Sequence, residues 1–214
     1  MRDGGAPVAL YRLLEAGDEP DLICREIPAD VEILELGSGS GRITHPLVAR
    51  GRRVVAVDYN PEMLALIDGA QTVLSRIEDL DLHRTFRGVL LMSNLVNTRD
   101  DERRIALLRA CARHLAPNGL CLIERYDPES GVDPEPVEKH AFGLTIRTFD
   151  IRRDGNLLFE TIEYDAGTRG RWQVRLEGAR ILSDDEMLAA LAAVRLRLVR
   201  WLDEHHRWLA AAKA

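Results

Sequence analysis

Residues 31–64 have the sequence VEILELGSGSGRITHPLVARGRRVVAVDYNPEML, and this stretch decides the fold. It begins with the apolar pattern of a buried strand, which ends at Glu35–Leu36 and continues into a loop with glycine at positions 37, 39 and 41. Glycine lets the backbone take a positive φ and pass close to a ligand. The helix predicted after the loop presents free backbone amides at its start, and these favour negative charge. The stretch therefore predicts a strand–loop–helix unit that binds a ligand at the loop.

A second strand pattern, RRVVAVD, ends at Asp58, 21 residues after Gly37. An acidic side chain at this place can accept both hydroxyl groups of a ribose that lies across the strand ends. The glycine spacing is G-x-G-x-G, because Arg42 stands where a dinucleotide fingerprint has its third glycine. No Gly-Lys-Ser/Thr follows, although a phosphate-binding P-loop requires it. Together these features indicate a nucleoside ligand, with a dinucleotide as the weaker alternative.

Around this stretch the chain divides into four predicted parts. Residues 1–30 form a lead-in with a short amphipathic helix around Pro7–Glu15, followed by the turn-rich sequence GDEPD. Residues 31–127 alternate strand and helix patterns, which is typical of a parallel sheet with crossover helices. Residues 128–182 contain segments of period two, from FGLTIRTFDIRR onward, and predict an antiparallel insertion. Residues 183–214 predict a capped helix that begins after Ser183 and a closing β-hairpin.

The motifs ELGSGSG, VDYNPEML and LAPNGLCLIER resemble those of the class I S-adenosylmethionine-dependent methyltransferases, and the resemblance covers residues 31–127. It implies an α/β fold: a Rossmann-like, doubly wound seven-stranded sheet with one antiparallel strand. The four predicted parts add a small antiparallel β insertion to that fold. The resemblance also implies that S-adenosylmethionine lies over the carboxyl ends of the strands.

Mapped residue by residue, the resemblance implies a set of cofactor-binding positions. Those near the methionine, the ribose and the transferred methyl are Glu35, Gly37, Ser38, Gly39, Gly41, Asp58, Ser93 and Asn94. Those near the adenine are Tyr59, Met63, Ile77 and Glu78. Methyltransferases that act on base amines usually carry an Asn/Asp-Pro-Pro-aromatic tetrad after the fourth strand. Here that segment is SNLV, so the resemblance disfavours the amines of nucleic acid bases as acceptors.

Methyl transfer depends largely on positioning, and an acceptor with an acidic proton also needs a base within hydrogen-bond reach. We expect Asn94, Tyr11 and Glu124 to be the catalytic candidates, because they follow strand ends or lie in the lead-in near the cofactor. Each also has a structural explanation. Asn94 and Asn97 suit loop caps, and Glu124 suits a partner for Arg125.

Histidine residues have structural explanations as well. His140 is expected in a surface loop before the insertion, and His205-His206 in the hairpin turn rather than in a metal site. Three cysteines without C-x-x-C spacing predict reduced core thiols and no metal. No leader-like or membrane-spanning apolar run is present, which predicts a cytoplasmic protein without a membrane partner.

The chain of 214 residues has a formal net charge of −6, which disfavours nucleic acid as a partner. We expect methyl transfer to an O, N or C nucleophile of a small metabolite or natural-product intermediate. A protein or RNA methyltransferase, an inactive S-adenosylmethionine-binding protein and a dehydrogenase are the alternatives. The sequence favours neither a monomer nor a homodimer.

Overall fold

The computed structural model describes residues 8–132 and 134–214. The strands are β1 (Glu32–Leu36), β2 (Arg53–Asp58), β3 (Gln71–Leu74), β4 (Phe86–Leu91), β5 (Leu115–Glu124), β6 (Val137–Ala141), β7 (Leu144–Asp154), β8 (Leu157–Asp165), β9 (Arg171–Arg180), β10 (Leu196–Trp201) and β11 (Trp208–Lys213). The helices are α1 (Val8–Tyr11), α2 (Glu19–Glu26), α3 (Thr44–Ala49), α4 (Pro61–Leu64), α5 (Asp101–His114) and α6 (Asp184–Ala193). Short 3₁₀ turns cover Leu95–Asn97 and Gly167–Arg169.

The larger sheet has seven strands in the order β10-β11-β5-β4-β1-β2-β3. Strands β1 to β5 pair in parallel, whereas β11 runs antiparallel to both β5 and β10. The predicted fold class, with one antiparallel strand, is therefore confirmed. Because β1 lies beside both β2 and β4, the glycine loop leaves the sheet where the strand order reverses, which is the usual ligand position in such sheets.

Helices cover both faces of this sheet, so its strands are apolar on both sides. Alternate residues of β1 face opposite layers: Leu34 and Leu36 pack toward α5 and α6, and Ile33 packs toward α2 and α3. By the same alternation Glu35 faces the α3 side. A carboxylate is thus placed inside a layer that is otherwise apolar.

The second sheet has four antiparallel strands in the order β6-β7-β8-β9. It corresponds to the predicted antiparallel insertion. Leu144 and Ile146 form a small apolar cluster with Ala166, and Leu13 and Leu14 of the lead-in pack against it. The lead-in also contacts the glycine loop, because Ser40 Oγ donates a hydrogen bond to the Tyr11 carbonyl oxygen at 3.1 Å. It therefore joins the second sheet to the ligand-binding loop.

Several predicted elements are confirmed. Ser183 caps α6 through a reciprocal capping box with Glu186, as the sequence predicted. Strands β10 and β11 form the closing hairpin.

Other predictions are wrong. The turn-rich GDEPD begins helix α2 instead, with Pro20 in its first turn, a position that proline favours. The lead-in helix covers only Val8–Tyr11, because the chain turns so that Leu13 and Leu14 can pack on the second sheet; Pro7 lies outside the described residues.

Two edge strands were also missed by the sequence. β6 has the polar sequence VEKHA and is largely exposed, so it lacks the alternation that identifies a half-buried strand. His140 is therefore in a strand rather than a loop, and it pairs with Thr145 of β7. β3 is likewise short, and Gln71, Thr72 and Leu74 are exposed.

Candidate functional site

The glycine loop lies against the end of β2. Gly37 N and Ser38 N donate hydrogen bonds to the Val57 carbonyl oxygen at 2.8 and 2.9 Å. Gly37 has φ +77°, a conformation that favours glycine, and a Cβ there would lie 2.5 Å from Leu95 Cδ1, so the Leu95 side chain would have to move. Gly39 has φ +54° and would meet no atom within 4 Å. The backbone therefore borders open space at Gly39.

Asp58 fixes the loop from the neighbouring strand. Its Oδ2 accepts a hydrogen bond from Gly39 N at 2.9 Å, and its Oδ1 accepts one from Asn60 N at 2.9 Å. The residue is only 8% exposed, yet it borders a cavity of about 400 Å³. Each carboxylate oxygen can accept more than one hydrogen bond. Asp58 can thus hold the loop and still accept hydroxyl groups of a ligand.

The cavity brings together most of the predicted cofactor-binding positions. Those that border it are Gly37, Ser38, Gly39, Asp58, Tyr59, Met63, Ile77, Glu78 and Ser93. Tyr59 is 56% exposed, and the Arg76 guanidinium lies 5.8 Å from the centre of its ring. Met63 and Ile77 are buried and apolar. The cavity therefore combines apolar and aromatic side chains with backbone amides and the Asp58 carboxylate.

Glu35 and Gly41, which were also predicted to bind the cofactor, do not border this cavity. Glu35 is 2% exposed, and its Oε2 accepts a hydrogen bond from Thr44 Oγ1 at 2.6 Å. Burial raises the pKa of the Glu35 carboxyl to about 7. Gly41 lies against the His45 ring, where a Cβ would be 2.8 Å from the nearest ring atom. Glu35 and Gly41 therefore contact α3, which follows the glycine loop, rather than the cavity.

The sequence did not identify several residues that border the cavity: Ser40, Arg42, Asn60, Ser75, Arg76, Leu95 and Arg103. Arg42 was noted only as a break in the dinucleotide fingerprint. Its guanidinium pairs with Glu19 of α2 at 2.5 Å and reaches Ser93 Oγ at 3.4 Å. The position of Arg42 directly after the glycine loop was the one sequence feature that could have indicated that it borders the cavity. Nothing in the sequence connected it to Glu19, 23 residues away.

Tyr11 borders the cavity, as expected for a residue that reaches it from the lead-in. Burial raises the pKa of its phenol, and the nearby Tyr59 and Asp58 act in the same direction. The Tyr11 hydroxyl therefore stays protonated at neutral pH and can donate a hydrogen bond.

Glu124 ends β5, and its Oε2 accepts a hydrogen bond from Ser93 N at 2.6 Å. Burial is the main cause of its raised pKa. A carboxylate with a raised pKa is a stronger base and therefore suits a proton acceptor. Arg125, the alternative partner for Glu124, is fully buried and instead contacts Asp184 and the His206 carbonyl oxygen.

Asn94 borders a separate cavity of about 310 Å³ rather than the cofactor cavity. Both Ser93 and Asn94 have left-handed backbones, with φ of 56° and 57°. Such strain in residues other than glycine is concentrated at functional sites. Asn97, by contrast, uses its whole amide for structure: Nδ2 donates to the Arg180 carbonyl oxygen at 2.6 Å, and Oδ1 accepts from Tyr126 N at 3.0 Å.

The hairpin histidines have structural contacts. His206 Nδ1 lies 2.7 Å from Asp184 Oδ2, and its ring stacks on Trp201. His205 Nδ1 lies 3.3 Å from Asp127 Oδ2. Within the described ranges there is no cluster of three or more His, Cys, Asp or Glu side chains that could hold a metal ion.

Residues 33–119 match a family model described as a methyltransferase domain. This stretch is therefore similar to known methyltransferase domains. CalS10, an amino pentose methyltransferase from Micromonospora echinaspora solved with S-adenosylmethionine bound, matches with a TM-score of 0.74 and 22% identity over 100% of both chains. The shared fold and the matching domain confirm the resemblance to the class I S-adenosylmethionine-dependent methyltransferases.

Two curated relatives each match a part of the chain. Cypemycin N-terminal methyltransferase from Streptomyces sp is 34% identical over 103 residues, which are 45% of this chain and 42% of that protein. Ubiquinone biosynthesis O-methyltransferase from Xanthomonas oryzae pv. oryzae (strain PXO99A) is 31% identical over 101 residues, 42% of this chain and 41% of that protein. The chain therefore spans about two fifths of the length of these relatives.

Proposed function

We propose that this chain is a methyltransferase that moves a methyl group from S-adenosylmethionine to a nucleophile of a small molecule. The observation that carries the proposal is the Asp58 carboxylate, which is held by the Gly39 and Asn60 amides at the rim of the 400 Å³ cavity. The class I S-adenosylmethionine-dependent methyltransferases, which this chain resembles, use this cofactor, and the residues present fit it. Asp58 offers acceptors for a ribose, and the open space at Gly39 leaves room for a ligand beside the backbone.

Asp58 would hold the ribose hydroxyls, Tyr59 and Met63 would contact the adenine, and Ser38 and Ser93 would lie along the methionine part. When bound, the cofactor would supply a methyl group that is attached to a positively charged sulfur. Transfer of this methyl group leaves the sulfur as a neutral thioether. Tyr11 would donate a hydrogen bond and help to exclude water from the reacting atoms. Glu124 would accept the proton that the acceptor loses, since its carboxylate lies behind Ser93 and is poorly solvated. Asn94 would orient the acceptor from the neighbouring cavity.

Residues 128–182 would cover the acceptor, and residues 8–30 of the lead-in would link that cover to the cofactor. The relatives named above act, by their names, at a peptide N-terminus, at an oxygen in ubiquinone biosynthesis, and on an amino pentose. They support a nitrogen or oxygen nucleophile on a small metabolite or natural-product intermediate. The net charge of −6 counts against nucleic acid as the acceptor.

We place this reaction in the cytoplasm, because Cys24, Cys111 and Cys121 are free thiols, as is usual in a reducing compartment. Among residues 8–132 and 134–214, no helix combines the length and apolar character needed to cross a bilayer.

Calorimetric titration tests the cofactor directly. We expect S-adenosylmethionine to bind, S-adenosylhomocysteine to compete with it, and NAD to leave the titration unchanged. Absence of binding at millimolar S-adenosylmethionine, or displacement by NAD, would overturn the proposal. Formation of S-adenosylhomocysteine with a panel of amines and alcohols then separates a methyltransferase from a protein that only binds the cofactor.

A further inference from the structure

The inner face of β8 carries polar groups that the cofactor site does not use. Strand residues alternate between faces, so Glu160, Ile162 and Tyr164 share one face of the second sheet and Glu163 lies on the other. Glu160 borders a cavity of about 400 Å³ together with Tyr126, which follows β5 of the larger sheet. The cavity therefore lies between the second sheet and the segment that follows Glu124.

The carboxylates on the two faces of β8 differ in their hydrogen bonding. On the outer face, Glu163 accepts hydrogen bonds from Arg147 Nη1 at 3.0 Å and from Gln173 Nε2 at 3.1 Å. On the inner face, Glu160 has no hydrogen-bond or ion-pair partner among residues 8–132 and 134–214. Lys139 borders the same cavity but is exposed on the edge strand β6 and forms no ion pair with Glu160. Glu160 is partly buried, and this burial raises its pKa. Its ionised form is therefore stabilised by any cation that enters the cavity.

Two tyrosine residues lie near this carboxylate: Tyr126 borders the same cavity, and Tyr164 follows on the same face of β8. Burial raises the pKa of Tyr126 and Tyr164, and in both cases the charge of the nearby Glu160 acts in the same direction. Tyr126 borders both this cavity and the cavity at Asn94, and the cavity at Asn94 shares Ser93 with the cofactor cavity. Neutral tyrosine rings attract cations, so Tyr126 and Glu160 both favour positive charge in this cavity.

We propose that the acceptor is a small molecule with a basic amine, and that Glu160 determines this specificity by attracting the ammonium form into the cavity that it borders together with Tyr126. The inference rests on the proposed function and names the substrate class of the same site. A neutral alcohol of the same shape would gain nothing from the charge of Glu160, whereas an ammonium ion gains an ion pair and contact with aromatic rings.

The reaction balances with the residues present. The ammonium group gives one proton to the Glu124 carboxylate and becomes a neutral amine. The nitrogen lone pair forms a bond to the methyl carbon while the carbon–sulfur bond breaks, and the electron pair of that bond stays on sulfur. The methylated product is an ammonium ion, and the proton on Glu124 returns to solvent. No oxidant or further reactant is needed.

The test uses matched probes in the presence of S-adenosylhomocysteine: cyclohexylamine against cyclohexanol, and glucosamine against glucose. Binding is measured by calorimetry to the wild type, to Glu160→Gln and to the matched outer-face control Glu163→Gln. We expect the amine of each pair to bind at least about tenfold more tightly than the alcohol. Glu160→Gln should remove this preference, and Glu163→Gln should retain it.

Equal binding within each pair, no binding of either member, or an amine preference that survives Glu160→Gln would overturn the inference. If Glu160→Gln does not fold, the wild type alone decides: amine affinity should fall with rising salt while alcohol affinity stays constant, and salt-independent amine binding would contradict the inference. S-adenosylhomocysteine affinity is measured on the same samples. If S-adenosylhomocysteine does not bind, the result counts against the proposed function. If it binds but the amines are not preferred, the result counts against this inference alone.

Discussion

The two sheets of this protein hold their carboxylates in different ways. In the seven-stranded sheet, Asp58, Glu35 and Glu124 each accept hydrogen bonds from the loops and helix that follow its strands. In the four-stranded sheet, Glu163 is paired on the outer face, whereas Glu160 on the inner face has no partner in the described part of the chain. The difference teaches that the cofactor side is organised by the protein itself, while the acceptor side leaves polar groups available for a ligand.

This organisation has an energetic consequence. Groups that are already held in place lose little freedom when a ligand binds, so more of the interaction energy appears as affinity. Substitutions in the seven-stranded sheet should therefore affect cofactor affinity or stability strongly. Substitutions on the outer face of the four-stranded sheet should affect both weakly.

The largest effect is expected at Asp58. Asp58→Ala removes acceptors for the ribose and the hydrogen bonds to Gly39 N and Asn60 N. The two hydrogen bonds that the ribose hydroxyls would donate to the charged carboxylate contribute about 4 kcal/mol together. S-adenosylmethionine affinity should therefore fall by about a thousandfold. Calorimetric titration measures it.

Asp154→Ala is the matched control, because Asp154 pairs with Arg152 on the surface of the four-stranded sheet. It should leave the affinity for S-adenosylmethionine unchanged. Equal affinities of the Asp58→Ala variant and the wild type would contradict the assignment of Asp58 to the ribose.

The next effect concerns stability and pH at Glu35. Its folded-state pKa is raised from 4.5 to about 7 by burial, so between these values the folded chain binds more protons than the unfolded chain. Stability therefore falls as pH rises through this window, by about 3 kcal/mol in total for this group.

Denaturant unfolding at pH values below and above this window measures the effect. In Glu35→Gln this contribution should be absent, so the variant gains stability relative to the wild type as pH rises. Glu32→Gln, at the start of the same strand, should keep the wild-type pH dependence. A stability difference between Glu35→Gln and the wild type that does not change with pH would show that Glu35 is ionised throughout.

The seven-stranded sheet was also the part that the sequence predicted best. Strand, loop and acid in residues 31–64 are local patterns, and each has a direct physical cause: β-branched runs for buried strands, glycine for positive φ and an acid at a strand end. Most of the positions predicted at this site border one cavity.

The remaining features depend on contacts between distant segments. Arg42 pairs with Glu19 across 23 residues, and Asn97 bonds to Arg180 across 83. Glu160 lies near Tyr126 only because the second sheet packs beside the end of β5. Such contacts are set by tertiary packing and leave no periodic signal. The polar edge strand β6 was missed for a related reason, since its backbone pairing, rather than its side chains, makes it a strand.

A smaller effect is expected from replacing glycine in the ligand-binding loop. A second glycine with a similar backbone conformation, away from the cavity, shows which part of the effect comes from backbone strain alone. Gly39 and Gly155 have φ of +54° and +59°, and a Cβ at either position would meet no atom within 4 Å. Gly39→Ala and Gly155→Ala should therefore lose similar stability, about 1 kcal/mol each, from the left-handed backbone.

The Cβ at position 39 would project into the space assigned to the cofactor, so Gly39→Ala should lower S-adenosylmethionine affinity by about tenfold. Gly155→Ala, in the β7–β8 turn, should leave it unchanged. Calorimetry and thermal unfolding on both variants check the two expectations. Similar affinities in the two variants would place the cofactor away from Gly39.

The smallest effect compares the two faces of β8. Glu163→Gln removes an ion pair with Arg147, whose side chain is 40% exposed, so Tm should change by less than about 2 °C. Glu160→Gln removes a carboxylate that is partly buried and without a partner, so Tm should stay the same or rise at neutral pH, where the ionised form is penalised by burial. Thermal unfolding of both variants measures the contrast. A clear loss of Tm in Glu160→Gln would mean that the protein itself compensates this charge, and that the four-stranded sheet is organised internally like the seven-stranded one.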